Sequence, residues 1–140
     1  MARTRQIKPH FLHSNSMSKV SIGAQLTFIR LWLVVDDAGR AEDFDRPLYW
    51  PAKLFPSQPD VKEQVAGWLD ELERVGCIVR YRLDGKSYLR VVNWRRRQKI
   101  AHPTPSRLPA QSSGIPEALA SDSRTPSESI ARNVPESPQP

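Results

Sequence analysis

Two β-rich runs, Cys77–Leu83 and Lys86–Val92, are separated only by Asp84-Gly85. A two-residue link closes a tight antiparallel hairpin when both residues accept left-handed backbone angles, and Asp-Gly does so at little steric cost. That dipeptide fixes register as well as topology, because it sets Tyr81 opposite Tyr88 across the strands. Everything upstream must therefore pack against a hairpin.

The upstream pattern is helical. Ile22, Leu26, Ile29 and Leu33 recur at helical spacing, joined by Phe28, Leu31 and Trp32, and Ser21 stands where a cap belongs. Asp37-Ala-Gly39 ends that helix. Leu48–Phe55 holds Pro51 and allows only a short helix with the proline in its first turn. After the break Pro56-Ser-Gln-Pro59, a helix is expected from Val61 to Val75. Asp60 and Glu63 form its capping pair, and Val61, Val65, Trp68, Leu69, Leu72 and Val75 form its apolar stripe. Gly76 sits at a left-handed stop. Helix, short helix, helix, hairpin is the element order of a winged helix-turn-helix domain. The expected fold class is thus α+β, three helices and a two-stranded wing. Winged domains that bind only protein share the order, so architecture alone does not fix function.

With 140 residues there is room for one domain of ordinary size. Eight of the thirteen prolines fall in residues 101–140 together with eight serines, so the chain divides into a basic arm (1–18), a winged domain with a basic extension (19–107) and a Pro/Ser-rich tail (108–140) expected to be disordered. Charge is uneven. Residues 1–19 carry +4, residues 20–75 carry −4, residues 76–110 carry +8 and residues 111–140 carry −2. A net charge of +6 favours a polyanionic partner. Cys77 is the single cysteine, which excludes an intrachain disulfide and suits a reducing compartment. No apolar run reaches the ~20 residues of a membrane span, and the start lacks the apolar core of a secretory signal. A soluble cytoplasmic protein is expected.

The candidate chemistry is electrostatic. Arg80, Arg82, Lys86 and Arg90 project from the hairpin, and Arg95, Arg96, Arg97 and Lys99 follow directly. A wing loaded this way can lie along a duplex with guanidinium groups on phosphates or in the minor groove. Arg3, Arg5 and Lys8 make the start a basic arm of the kind that reaches into a minor groove, and Pro9–Leu12 returns the chain to the core. The helix 61–75 carries a net −2, so base contacts are confined to Lys62 and Gln64 near its start. The aromatic residues have a packing role: Trp32 and Trp68 lie on apolar faces, and Trp94 closes the hairpin against the core. Nothing signals catalysis. His10, His13 and Cys77 lack zinc-ligand spacing, no glycine-rich phosphate loop is present, and Asp36-Asp37 and Glu42-Asp43 are solvated acids at a helix end and in a loop. No metal or cofactor is expected.

Several blocks in order also carry a resemblance: Met1–Phe11 (MARTRQIKPHF), Leu26–Trp32 (LTFIRLW), Asp37–Arg40 (DAGR), Arg46-Pro47, Lys53–Pro56 (KLFP), Leu69–Leu72 (LDEL), Gly76–Tyr81 (GCIVRY), Asn93-Trp94, Gln98 and His102-Pro103. Over about residues 1–105 the chain resembles a family of phage and prophage proteins with a winged helix-turn-helix domain, some of them the N-terminal part of replication-initiation or replisome-organiser proteins. The resemblance implies binding of phage double-stranded DNA in a bacterial host cell, with replisome proteins as further partners. Replisome-organiser relatives carry a second folded domain where this chain has its Pro/Ser-rich tail. Two functions are therefore expected: a non-enzymatic duplex-DNA-binding protein of replication initiation, or a winged interaction module whose first helix or helix 61–75 mediates self-association or a replisome contact.

Overall fold

The computed structural model describes residues 4–44 and 46–111. Among them, four α-helices and a three-stranded antiparallel sheet follow in the order α1 (Ile22–Trp32), β1 (Arg40–Glu42), α2 (Tyr49–Leu54), α3 (Val65–Arg74), β2 (Ile78–Leu83), β3 (Lys86–Val91) and α4 (Trp94–Arg97). The fold is mixed α+β, and no helix among the described residues is long and apolar enough to cross a membrane.

The hairpin forms as expected. Asp84 and Gly85 take φ of 53° and 77°, and Tyr81 stacks on Tyr88 with ring centroids 5.5 Å apart. The unexpected strand is β1, which pairs with β3 and gives the order β1-β3-β2. It is only three residues long, too short to show a periodicity in sequence. Gly39, at φ 80°, sets it up: a Cβ there would lie 2.7 Å from the Trp94 ring.

Ser21 caps α1, its Oγ accepting from the Ala24 N–H at 3.2 Å. The cap is itself held from α3, where the Glu71 carboxylate accepts from the Ser21 N–H at 2.7 Å and from its hydroxyl at 3.0 Å. The expected start of the third helix is corrected. Pro59–Val61 is a 3-10 turn, and the N–H groups of Val61, Lys62 and Gln64 bond to carbonyls three residues back. Of the donors an Asp60 cap would have served, the Lys62 N–H is thus taken up by the Pro59 carbonyl, and the helix begins later, at Val65, without a side-chain cap. Gly76, at φ 81°, ends it as expected.

The orientation of α1 is a second correction. Its buried side is Ala24, Thr27, Phe28, Leu31 and Trp32, while Ile22, Leu26 and Leu33 are 83%, 44% and 57% exposed. The helix is apolar on both sides, so its period alone could not choose the inner one. The bulkier side was selected: Phe28 and Leu31 pack in one core with Leu69 and Leu72 of α3, Leu54 and Phe55, and Ile78, Leu89 and Val91 of the sheet. Gly23 makes room for this packing, since a Cβ there would fall 2.2 Å from the Trp68 ring.

The sheet's other face is covered by the chain's own continuation. Tyr81, Leu83 and Tyr88 form a separate small cluster with Val79 and Leu108. The strap carrying Leu108 is pinned by three bonds. The Thr104 N–H donates to Asp37 at 2.9 Å, the Ser106 hydroxyl to Asp36 at 2.5 Å, and Arg40 Nη1 to the Leu108 carbonyl at 2.8 Å. Leu108, expected to open the disordered tail, is packed and bonded here, and residues 112–140 of that expected tail lie outside the described ones.

Candidate nucleic-acid interface

The register divides the basic hairpin between two faces. Alternation along paired strands puts Arg80 and Arg82 on the side of Ile78 and Leu89, toward the helices, and Lys86 and Arg90 on the side of Tyr88, toward the strap. The four cations expected to project from the hairpin toward a duplex do not share one face.

Arg80 is engaged. Its guanidinium lies 3.6 Å from Asp43, 3.3 Å from Asp70 and 3.8 Å from Glu73, so it neutralises the acidic flank of α3. Arg90 is half-buried opposite Arg40 and Val79, and desolvation pushes its pKa down. Arg82 and Lys86 are exposed beside the turn. There Arg82 donates to Ser87 Oγ at 3.0 Å and to the Gly85 carbonyl at 3.2 Å, bonds that stiffen the tip without neutralising it. Because β1 pairs only with Tyr88, Leu89 and Arg90, the sheet narrows to two strands at this tip.

The segment after the hairpin also divides. One helical turn sends Arg95 and Arg96 to solvent and Arg97 inward, and Lys99 is exposed. Arg97 lies 4.8 Å above the Phe28 ring, its pKa lowered by burial. The length of β3, Lys86–Val91, at roughly 3.4 Å per residue, and the turn after it separate this basic group from the hairpin tip. Lys62 and Gln64 are exposed in the turn before α3, not on the helix.

The expected basic arm is docked where it is described. Arg5 donates to the carbonyls of Trp32 at 2.9 Å and Val35 at 3.1 Å, pairs with Asp37 at 3.2 Å, and stacks over Trp94 at 5.0 Å. Its side chain is 4% exposed, so it fastens the chain start to the core and cannot reach a groove. Lys8 Nζ donates to the Arg96 carbonyl at 2.6 Å, and the Gln98 amide bonds both ways with the Gln6 backbone. Phe11 meets Trp32 edge-on, returning the chain to the core as expected, whereas Leu12 stays exposed. Arg3 lies outside the described residues.

Trp94 closes the hairpin end as expected, donating from Nε1 to the Asp37 carbonyl at 2.9 Å. Trp50 is buried and donates to Asp43 at 2.7 Å. Among the described residues, no group of three His, Cys, Asp or Glu side chains is placed to hold a metal. The surface feature that sequence reasoning missed is the exposed side of α1; its apolar period is plain in the sequence, but it reads there as core. Compared with known protein families, curated proteins and solved structures, the chain matches none.

Proposed function

We propose that the chain is a winged helix-turn-helix protein that binds double-stranded DNA without catalysis, in the manner its resemblance to phage replication proteins implies. The observation that supports this most is the two-stranded tip, where Arg82 and Lys86 stand exposed beyond the third strand. Helix, strand, helix, helix and hairpin with sheet order β1-β3-β2 agree with a winged arrangement. The contact set is narrower than the sequence suggested: Arg82 and Lys86 at the tip, with Arg95, Arg96 and Lys99 as a second group. Lys62 and Gln64 remain the candidates for base edges. The test is duplex binding across a salt series. Arg82→Ala with Lys86→Ala is expected to flatten the dependence by about 0.9 log units for each phosphate that is no longer neutralised. Absence of binding at low salt, or an unchanged slope in the variant, overturns the reading.

A second reading has its own observation. Ile22 and Leu26 on α1 and Leu33 at its C-terminal cap are exposed, and with Ile29, which is partly buried against the core, they keep the four-three-four spacing of a helix-pairing seam. The flanks do not repel: Gln25 is uncharged, and Arg30 is turned away onto the Leu54 carbonyl at 2.8 Å and over the Phe55 ring at 4.6 Å. The occupant this fits is α1 of a second copy, in a two-fold pairing. Light scattering on a concentration series tests it. A dimer abolished by Leu26→Glu supports the pairing, and a monomer at millimolar concentration refutes it.

A further inference from the structure

Arg97 is the one inward arginine that the fold leaves without an acceptor among the described residues. Arg5 has Asp37 and two carbonyls, and Arg80 has three carboxylates. Arg97 has the Phe28 ring below it, and its Nε is buried without a hydrogen bond. A guanidinium with a buried, unaccepted Nε–H and no counter-charge beside it is a costly arrangement, and folds generally pair such groups.

Trp32 shares the anomaly. Its side chain is 2% exposed, and its Nε1–H is also buried without an acceptor. The other two indoles with buried rings, Trp50 and Trp94, each find one. Both orphan donors belong to residues lining a single shallow, open cleft, together with Gln6, Lys8, His10 and Phe11. Among the described residues, no carboxylate lines it. Its depth admits one water-sized group, so a ligand can present one atom there while the rest stays outside. Water could accept from both donors but brings no charge to the guanidinium. An oxyanion does both.

We propose that this cleft is a phosphate site, in which one phosphate oxygen accepts from Arg97 and Trp32 while Lys8 and His10 stand at the rim. The ligand is a phosphate group, either free or carried by a nucleic acid. The site is independent of the hairpin tip, so it survives failure of the DNA reading.

The Trp32 indole N–H and Arg97 Nε–H signals in ¹H–¹⁵N spectra test the proposal. Sodium phosphate is titrated against sodium chloride at equal ionic strength, on the full chain. Phosphate is expected to move both signals saturably, and chloride is not. Arg97→Met, which keeps length and the contact with Phe28, is expected to abolish the Trp32 response without lowering thermal stability. Should that variant fail to fold, Arg97→Lys keeps the charge but lacks the Nε–H, and its phosphate affinity is expected to fall at least tenfold. Duplex DNA added to the Arg82→Ala/Lys86→Ala variant in phosphate-free buffer identifies the source. A response tighter than that to inorganic phosphate assigns the site to nucleic acid, and a response to inorganic phosphate alone assigns it to the free ion. No movement with either ligand, equal movement with chloride, or an unchanged Trp32 response in Arg97→Met overturns it.

Discussion

Gly23 is the smallest residue with a large consequence. The Trp68 ring occupies the space a Cβ would need, at 2.2 Å, and Trp68 belongs to the shell around the common core. Gly23→Ala must push apart α1 and α3, an overpacking that costs about 1–3 kcal/mol despite alanine's better helix propensity. Urea unfolding of the variant checks it, and a gain in stability would show that Trp68 yields freely. Cys77 gives a prediction of opposite kind. Burial pushes its thiol above the ordinary 9.0, with Arg97 and a Ser16 hydrogen bond working the other way. Burial likewise raises Tyr49 and Tyr81 above 10.0. In each case the unfolded chain loses its proton first, so the folded state is progressively disfavoured as pH rises past the unfolded value. Stability is expected to fall from about pH 9 upward, first through Cys77 and then through the tyrosines. Chemical unfolding at pH 8, 9 and 10 measures it, and Cys77→Ala should flatten the first part of the fall.

Among the elements, the hairpin decides how the cations are used. Arg80 and Arg82 are two residues apart on one face, yet Arg80 is committed to Asp43, Asp70 and Glu73 while Arg82 points to solvent. Arg80→Ala is therefore expected to lower stability by about 1 kcal/mol, a partly exposed ion-pair effect, and to leave the salt slope of DNA binding unchanged. Arg82→Ala should do the reverse. Parallel denaturation and binding curves separate the two, and equal effects of both variants on the slope would show that Arg80 leaves its acids to meet DNA. Sequence carried the hairpin because Asp84-Gly85 is a local signal, and it carried the Ser21 cap and the Gly76 stop for the same reason. It did not carry β1, whose three residues owe their conformation to pairing with β3. Nor could it tell Arg97 from Arg95 and Arg96, since only the helical turn after Asn93 distinguishes them. For α1 the period was legible, but its sign was not: two apolar stripes competed, and only packing against α3 chose Phe28 and Leu31 over Leu26 and Leu33.

Across the folded body, both ends of the described chain are fastened to the same corner. Arg5 reaches Asp37 and the carbonyls after α1, and Thr104 and Ser106 reach Asp37 and Asp36 from the other side. Asp36 and Asp37, expected to be ordinary solvated acids, thus hold together the start, the sheet edge and the strap. The Asp36 carboxylate also accepts from the Ala38 and Arg40 N–H groups, which shapes the turn into β1. Removing it disconnects several elements at once, whereas removing Leu108 loosens only the strap over Tyr81, Leu83 and Tyr88. Leu108→Ala should cost about 1 kcal/mol, because the side chain is only partly buried, and it should raise hydrogen exchange chiefly in β2 and β3. Asp36→Ala should cost more, about 2–4 kcal/mol, by leaving backbone N–H groups and the Ser106 hydroxyl without their acceptor. Its exchange should quicken through β1 as well as the strap. Exchange mapped by mass spectrometry on both variants distinguishes them. If Asp36→Ala changes only the strap, the corner is an attachment point for residues 104–108 and not the junction that joins the two ends to the sheet.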